Sequence, residues 1–318
     1  MRRRQLLVAT AALSAVRPVR AQASRGVRIG ILAPNLRHPG PPAIEKALAE
    51  LGYTKGGNLD LELRTANDQT ETMATLADEL VRLPVDVLIT VQTPAALAAR
   101  RASTAVPIVM AGIAIDPVGA GLVQSLARPG GNVTGVAGLG ADLAVKAMQF
   151  MRELLPGMKR MGAMLNAADP FTSSLQPMLE QAARTLGIEL RVASVRSPDE
   201  YAPVLAAWSV ARVDAAFIQP SLSQPAFIKL ADAQRLPSFS FGRAIVQAGG
   251  LLSYAASQRD IAQRVAYMAD RILRGEKPAQ IPVEQPASFE LAINLRSARV
   301  LGLAVPQSLL LRATDLIE

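Results

Sequence analysis

Residues 70–101, TETMATLADELVRLPVDVLITVQTPAALAARR, decide the fold class. Met73, Leu76, Ala77, Leu80 and Leu83 recur at helical spacing, so 70–83 reads as an amphipathic helix. Residues 85–91 form a short apolar run, the signature of a buried strand. Thr93 is a good helix N-cap and Pro94 a good first helical residue, so a second helix is expected over 95–101. Helix, buried strand and helix in succession imply a parallel sheet with right-handed crossovers.

The same alternation extends in both directions. Strands are expected at 27–32, 59–64, 108–111 and 133–136, with helices at 43–51 and 118–127. The cycle then restarts: helix 143–155, strand 161–166, helix 175–186 ended by Gly187, and strand 190–195. Helix 201–212, strand 215–218, helix 226–235 and strand 238–241 follow. The end is less regular, with strand 251–254, helix 261–273 closed by Gly275, a proline-punctuated connector at 278–286, strand 289–294 and a short helix at 297–301. Two consecutive sets imply two similar lobes, and the late connector implies that the chain crosses between them more than once.

Residues 1–23 read as an export signal. Arg2, Arg3 and Arg4 precede an apolar run at 6–16, too short to span a bilayer, and Ala21-Gln22-Ala23 is a small-x-small cleavage site. The chain carries 34 Lys+Arg against 26 Asp+Glu, a formal +8, but five of the arginines sit in the signal and leave 29 against 26. No basic run interleaved with aromatics remains, which argues against nucleic acid as a partner. There is no cysteine, so disulfides, thiol nucleophiles, Cys-bound metals and lipidation at an N-terminal Cys are excluded. An exported, untethered protein of this kind belongs in a periplasm.

Catalytic constellations are nearly absent: carboxylate pairs exist, but none stands out at strand ends as an acid/base pair. The single histidine, His38, allows no catalytic triad, HExxH motif or multi-His metal site, and it reads as a solvated loop residue. No P-loop or dinucleotide fingerprint occurs, and no cofactor is expected. The chain reads as a binder, not an enzyme.

Ligands of open parallel sheets bind beyond the carboxyl ends of the strands. After 85–91 come Gln92, Thr93, Pro94 and Ala95, either a well-capped helix or a helix start that receives an anion. After 108–111 comes Asp116-Pro117, where the carboxylate either accepts a ligand ammonium or caps a helix near Val118. Phe171 and Thr172 follow 161–166, Pro220 and Ser221 follow 215–218 as a second helix-start candidate, and Gly242 and Arg243 follow 238–241. Tyr254 ends a further strand; it and Phe171 are either core or ligand platforms.

Several of these segments resemble one family. They include LADELVRLPVDVLITV at 76–91 with Thr93-Pro94-Ala95, DPVGAGLV at 116–123, LARPGGNVTG at 126–135, GGLLSY at 249–254 and PVEQP at 282–286. Together they resemble the periplasmic substrate-binding proteins of ABC transporters, in the family that includes tryptophan and tyrosine binders, over essentially all of the chain after the signal. The resemblance implies an α/β fold of the type I periplasmic-binding class: two Rossmann-like lobes with parallel sheets, a multi-strand hinge and a ligand cleft between them. It implies a first lobe of 27–137 plus 251–282 and a second of 138–250 plus 283–318. It also implies a monomer that captures a small organic ligand, an amino acid or another carboxylate-bearing molecule, and delivers it to an ABC permease in the inner membrane. An exported sensor subunit for a membrane signalling protein is the alternative. By motif, Thr93, Pro94 and Ala95 contact ligand from the first lobe, Asp116 and Pro117 line the same mouth, and Pro220 and Ser221 form the matching turn of the second. The chain departs from the amino-acid binders at Leu222-Ser223-Gln224, where they tend to be more polar, and at Gly242-Arg243, where an acid often follows the glycine. Arg243 is read either as a cation for a ligand carboxylate or as a solvated surface residue.

Overall fold

The computed structural model describes residues 26–36, 38–67, 69–113 and 116–318. The export signal expected at 1–23 lies outside the described residues. The first unit runs β1 (Val27–Ala33), α1 (Gly40–Glu50), β2 (Leu59–Thr65), α2 (Met73–Arg82), β3 (Val87–Val91), α3 (Thr93–Ala102), β4 (Ile108–Ile113) and β5 (Val133–Ala137). All its pairings are parallel, in the order β2-β1-β3-β4-β5. Every residue of β3 is buried, as a central parallel strand covered on both faces requires, and the edge strand β5 is buried throughout as well.

The second unit follows as α4 (Gly140–Leu154), β6 (Arg160–Asn166), α5 (Thr172–Leu186), β7 (Glu189–Val195), α6 (Tyr201–Val210), β8 (Ala215–Ile218), α7 (Pro225–Ala233), β9 (Ser238–Ser240), α8 (Ala244–Ala248) and β10 (Leu252–Ala256). The chain continues through α9 (Gln258–Leu273), β11 (Phe289–Asn294), α10 (Leu295–Leu301), α11 (Gln307–Arg312) and β12 (Asp315–Ile317). The second sheet has the order β12-β11-β10-β9-β8-β6-β7, parallel except where β10 meets β11. Its parallel part, β7-β6-β8-β9-β10, repeats the connectivity of the first sheet strand for strand. In both, the strand order reverses between the unit's first and third strands, which is where ligands bind in such sheets.

The chain passes between the sheets three times. It leaves β5 for α4 through Gly138 and Leu139, both at positive φ, and returns from β10 to α9 through Ser257. Helix α9 packs on α1, β3, β4 and β5, so it covers the first sheet. The third passage runs from 281 to 288 and is stitched to β5. There Glu284 donates its N–H to the Gly135 carbonyl at 2.9 Å, and Ala137 donates to the Glu284 carbonyl at 2.9 Å.

Strand β10 lies within the 251–282 segment expected with the first lobe; it pairs with β9 and β11 of the second sheet, and α9 after it packs on the first. Glu284, expected with the second lobe, pairs with Val136 of β5, and the Val283 N–H goes to the Leu126 carbonyl, before the chain reaches β11. The helix expected at 118–127 is a run of turns and bends. Gly121 sits at φ +69°, and the Asp116 carboxylate takes the Val118 and Gly119 amides at 3.0 Å each, a side-chain turn in place of a helix. Pro220–Leu222, expected to open a helix, is a single 3-10 turn. Short α8, α11 and edge strand β12 were not expected, because elements of three to six residues carry too few periods to read.

Gly135 is the tightest point of the passage region. At φ +137°, a β-carbon there would lie 2.3 Å from the Met110 backbone nitrogen and oxygen. Gly135→Ala should therefore lower stability by about 2 kcal/mol. Urea unfolding checks this, and an unchanged midpoint would contradict it.

Candidate functional site

A cavity of about 310 Å³ lies between the two sheets, and its walls come from the carboxyl ends of strands on both sides. From the first sheet come the loop after β1, with His38, the residues Gln92, Thr93 and Pro94 after β3, and Ala111 and Gly112 of β4. From the second come Asp169 and Phe171 after β6, Gln219 to Ser221 after β8, and Phe241 to Arg243 after β9. Gly138, Ala256 and Pro286, one from beside each passage, complete the wall. The space is thus walled by both sheets and by residues beside all three passages.

Eight of the thirteen residues expected at the site line this cavity: Gln92, Thr93, Pro94, Phe171, Pro220, Ser221, Gly242 and Arg243. The others sit elsewhere. Ala95 is fully buried against the first core. Asp116 is exposed and bonds its own turn, and Pro117 is buried beside it. Tyr254 packs between Phe150 and Phe289, with ring centroids 5.0 and 6.0 Å away. Thr172 stands behind the wall, where its hydroxyl lies 2.6 Å from the Asn166 carbonyl and 3.0 Å from Gln219 Oε1 and donates to one of them at a time.

That hydroxyl supports the main polar feature of the second lobe. Gln219 Oε1 accepts the Asn166 N–H at 2.9 Å, which fixes the amide so that Nε2 donates to Asp169 Oδ2 at 2.9 Å. Asp169 Oδ1 accepts the Phe171 N–H at 3.0 Å. Asp169 is 8% exposed, and no ion pair among the described residues involves it. Desolvation pushes its pKa up, and the bonds from Phe171 and Gln219 pull back only part of the way. A buried carboxylate without a cation is expensive to keep.

Arg243 lines the cavity already ion-paired, an arrangement that neither expected reading included. Nη1 lies 3.0 Å from Glu290 Oε2 and Nη2 bonds Asp315, so the guanidinium ties α8 to β11 and β12 with its charge committed. The cavity therefore offers no free guanidinium among the described residues. Phe171 and Phe241 meet edge to face at 5.8 Å, and Phe241 stacks on Phe217 at 6.1 Å, which gives that wall an apolar base.

His38 is not a solvated loop residue. It lines the cavity, and crowding by protein drives its pKa down to about 4. Nδ1 accepts the Gly40 N–H at 3.0 Å, so the neutral ring carries its proton on Nε2. Beside it, Gln92 occupies the N-cap position of α3 at φ 69°, ψ 167°, and the cavity wall ends at the first turn of that helix. The positive end of the helix dipole and a neutral N–H donor thus stand on the wall across from Asp169's lobe.

A two-lobed cleft at paired strand ends is the type I periplasmic-binding fold. The family model for ABC transporter substrate binding protein matches residues 37–317, and the chain belongs to that family. The family is one of solute binders and not of enzymes. A tyrosine-binding protein of Clostridioides difficile (strain R20291) is 26% identical over 263 residues, 81% of this chain and 75% of that protein. Among solved structures, an ABC domain in complex with L-Trp from Streptococcus pneumonia is 28% identical, with a TM-score of 0.81 over 92% of this chain and 100% of its own. A conserved domain protein from Vibrio cholerae is 27% identical, with a TM-score of 0.82 over 91% and 99%.

Two outcomes follow from these electrostatics. Gln219→Ala strands the Asp169 carboxylate and the Asn166 amide, so it should destabilise by about 1–3 kcal/mol at neutral pH. With its folded pKa raised, Asp169 holds a proton in the folded state that the unfolded chain has lost above 3.8, so stability falls as pH rises through that window. Losing Gln219 raises that pKa further, so the deficit should be larger at pH 7 than at pH 4; urea unfolding at the two values compares them, and an equal deficit would contradict the network. Because the chain has one histidine, its NMR ring signals report His38 alone, and they should titrate near pH 4 rather than 6.5.

Proposed function

We propose that this protein captures an amino acid in the periplasm and delivers it to an ABC permease of the inner membrane. The observation that carries the reading is the polarity of the cavity: a buried, unpaired carboxylate at Asp169 on one lobe, and a helix start with a neutral His38 N–H on the other. An amino acid is a zwitterion of matching polarity, its ammonium suited to Asp169 and its carboxylate to the helix start. The tyrosine-binding and L-Trp-bound relatives favour the same class. Gln92, Thr93, Pro94, Phe171, Pro220, Ser221 and Gly242 line the space around such a ligand, while Arg243 shapes the wall from behind its two carboxylates.

The first lobe in this reading is 26–137 with 257–284, and the second is 138–256 with 285–318. None of the ion pairs among the described residues joins them, so the three passages are the hinge. A ligand that contacts both lobes favours the closed state by its differential affinity. Hinge closure of that kind is the known behaviour of periplasmic binding proteins. Closure presents the permease with a surface that the open form lacks. The protein acts as a monomer after the signal is removed at Ala23. No helix of the described residues is long and apolar enough to cross a membrane, which accords with capture outside the bilayer.

A thermal-shift series on refolded protein tests this. At about 100 times its dissociation constant, the right L-amino acid should add about 2.7 kcal/mol of stability. The same molecule without its amino group should add almost nothing, because Asp169 would face no cation. Equal stabilisation by the deaminated acid would remove the ammonium from the account, and a response only to sugars or nucleosides would overturn the amino-acid reading.

A further inference from the structure

Gln92 carries a backbone geometry that glutamine should avoid. Its φ of 69° with ψ of 167° falls in a region that is essentially reserved for glycine, because Cβ collides with the backbone there. Other non-glycine residues of the chain also have positive φ: Asn67, Leu139, Arg212 and Arg235. None of those four lines the cavity, and Gln92 does. Both flanks hold it in place. All of β3 before it is buried, and Thr93, Ala95 and Ala96 after it are buried in the first turn of α3. The strand and helix fix the direction of the chain on each side, and the joining residue absorbs the misfit.

A glycine would meet this geometry without strain. The side chain therefore has to do something that the backbone does not need. It contributes nothing to the fold by hydrogen bonding: no partner for its amide occurs among the described residues, and only its main-chain carbonyl is engaged, by the Ala96 N–H at 3.3 Å. It is half-buried at the cavity wall, beside the start of α3.

We propose that Gln92 is a specificity-determining residue whose side-chain amide donates to an acceptor oxygen of the bound ligand, and that the protein keeps a strained backbone to place it there. This rests on the amino-acid reading for the identity of the acceptor, a ligand carboxylate beside the helix start. The strain itself does not depend on that reading.

Two variants separate the parts. Gln92→Gly relieves the backbone and removes the amide; Gln92→Ala removes the amide and keeps the strain. In the ligand-free protein, calorimetry should give a higher Tm for Gln92→Gly than for both wild type and Gln92→Ala. With each of the twenty L-amino acids as probe, the one that wild type binds should bind both variants at least tenfold more weakly by titration calorimetry. A Gln92→Gly Tm no higher than that of Gln92→Ala overturns the strain, and wild-type affinity in both variants overturns the contact. If wild type itself binds none of the twenty, the amino-acid reading fails and the Tm comparison alone decides Gln92.

Discussion

Everything at the cleft depends on one topological constraint, the point in each parallel sheet where the strand order reverses. Two neighbouring strands there send their connections to opposite faces and leave a crevice at their carboxyl ends. In the first sheet this point lies between β1 and β3 and brings together His38 and Gln92; in the second it lies between β6 and β8 and brings together Asp169 and Gln219. Because the two sheets share a connectivity, the two crevices have equivalent origins, and the three passages hold them mouth to mouth. The cavity is a consequence of chain order, and the side chains then give it polarity.

That polarity is concentrated in groups that stability alone would not select. Asp169 is a carboxylate in a desolvated wall with only neutral donors, and Gln92 has a backbone suited to glycine. Around them the structure is conventional. Buried strands, packed aromatics and the Arg243 pairing with Glu290 and Asp315 leave few groups unmatched. Strain and a desolvated carboxylate without a cation, together at a cleft within a well-packed frame, are the marks by which a functional site is recognised.

Much of this was legible in the sequence, for reasons that also explain what was not. The alternation of buried strands and amphipathic helices is a strong periodic signal, and it located 215–218 and 289–294 to the residue. The strand-end rule then found Gln92, Pro94, Phe171 and Pro220 at the cavity without any knowledge of pairing. It failed where the answer lies in tertiary contacts. Strand β10 joins the second sheet because of its partners, β9 and β11, and nothing in its own residues says so. Asp169 and His38 look like ordinary loop residues until burial is known. The position of each, a few residues past the first strand of its unit, was the one available clue. Glycines in 116–123 were read through a helical pattern that they in fact break.

The central claim is that one small molecule, held between two crevices, draws the lobes together. The distance between the lobes measures this most directly. The chain has no cysteine, so Val118→Cys on the first lobe and Arg196→Cys on the second, both at exposed positions past strand ends, accept a clean pair of spin labels. Pulsed electron–electron resonance should show the distance between them shorten and its distribution narrow when the amino acid that stabilises the protein is added. A distribution that stays the same with that ligand bound at saturation would contradict the account.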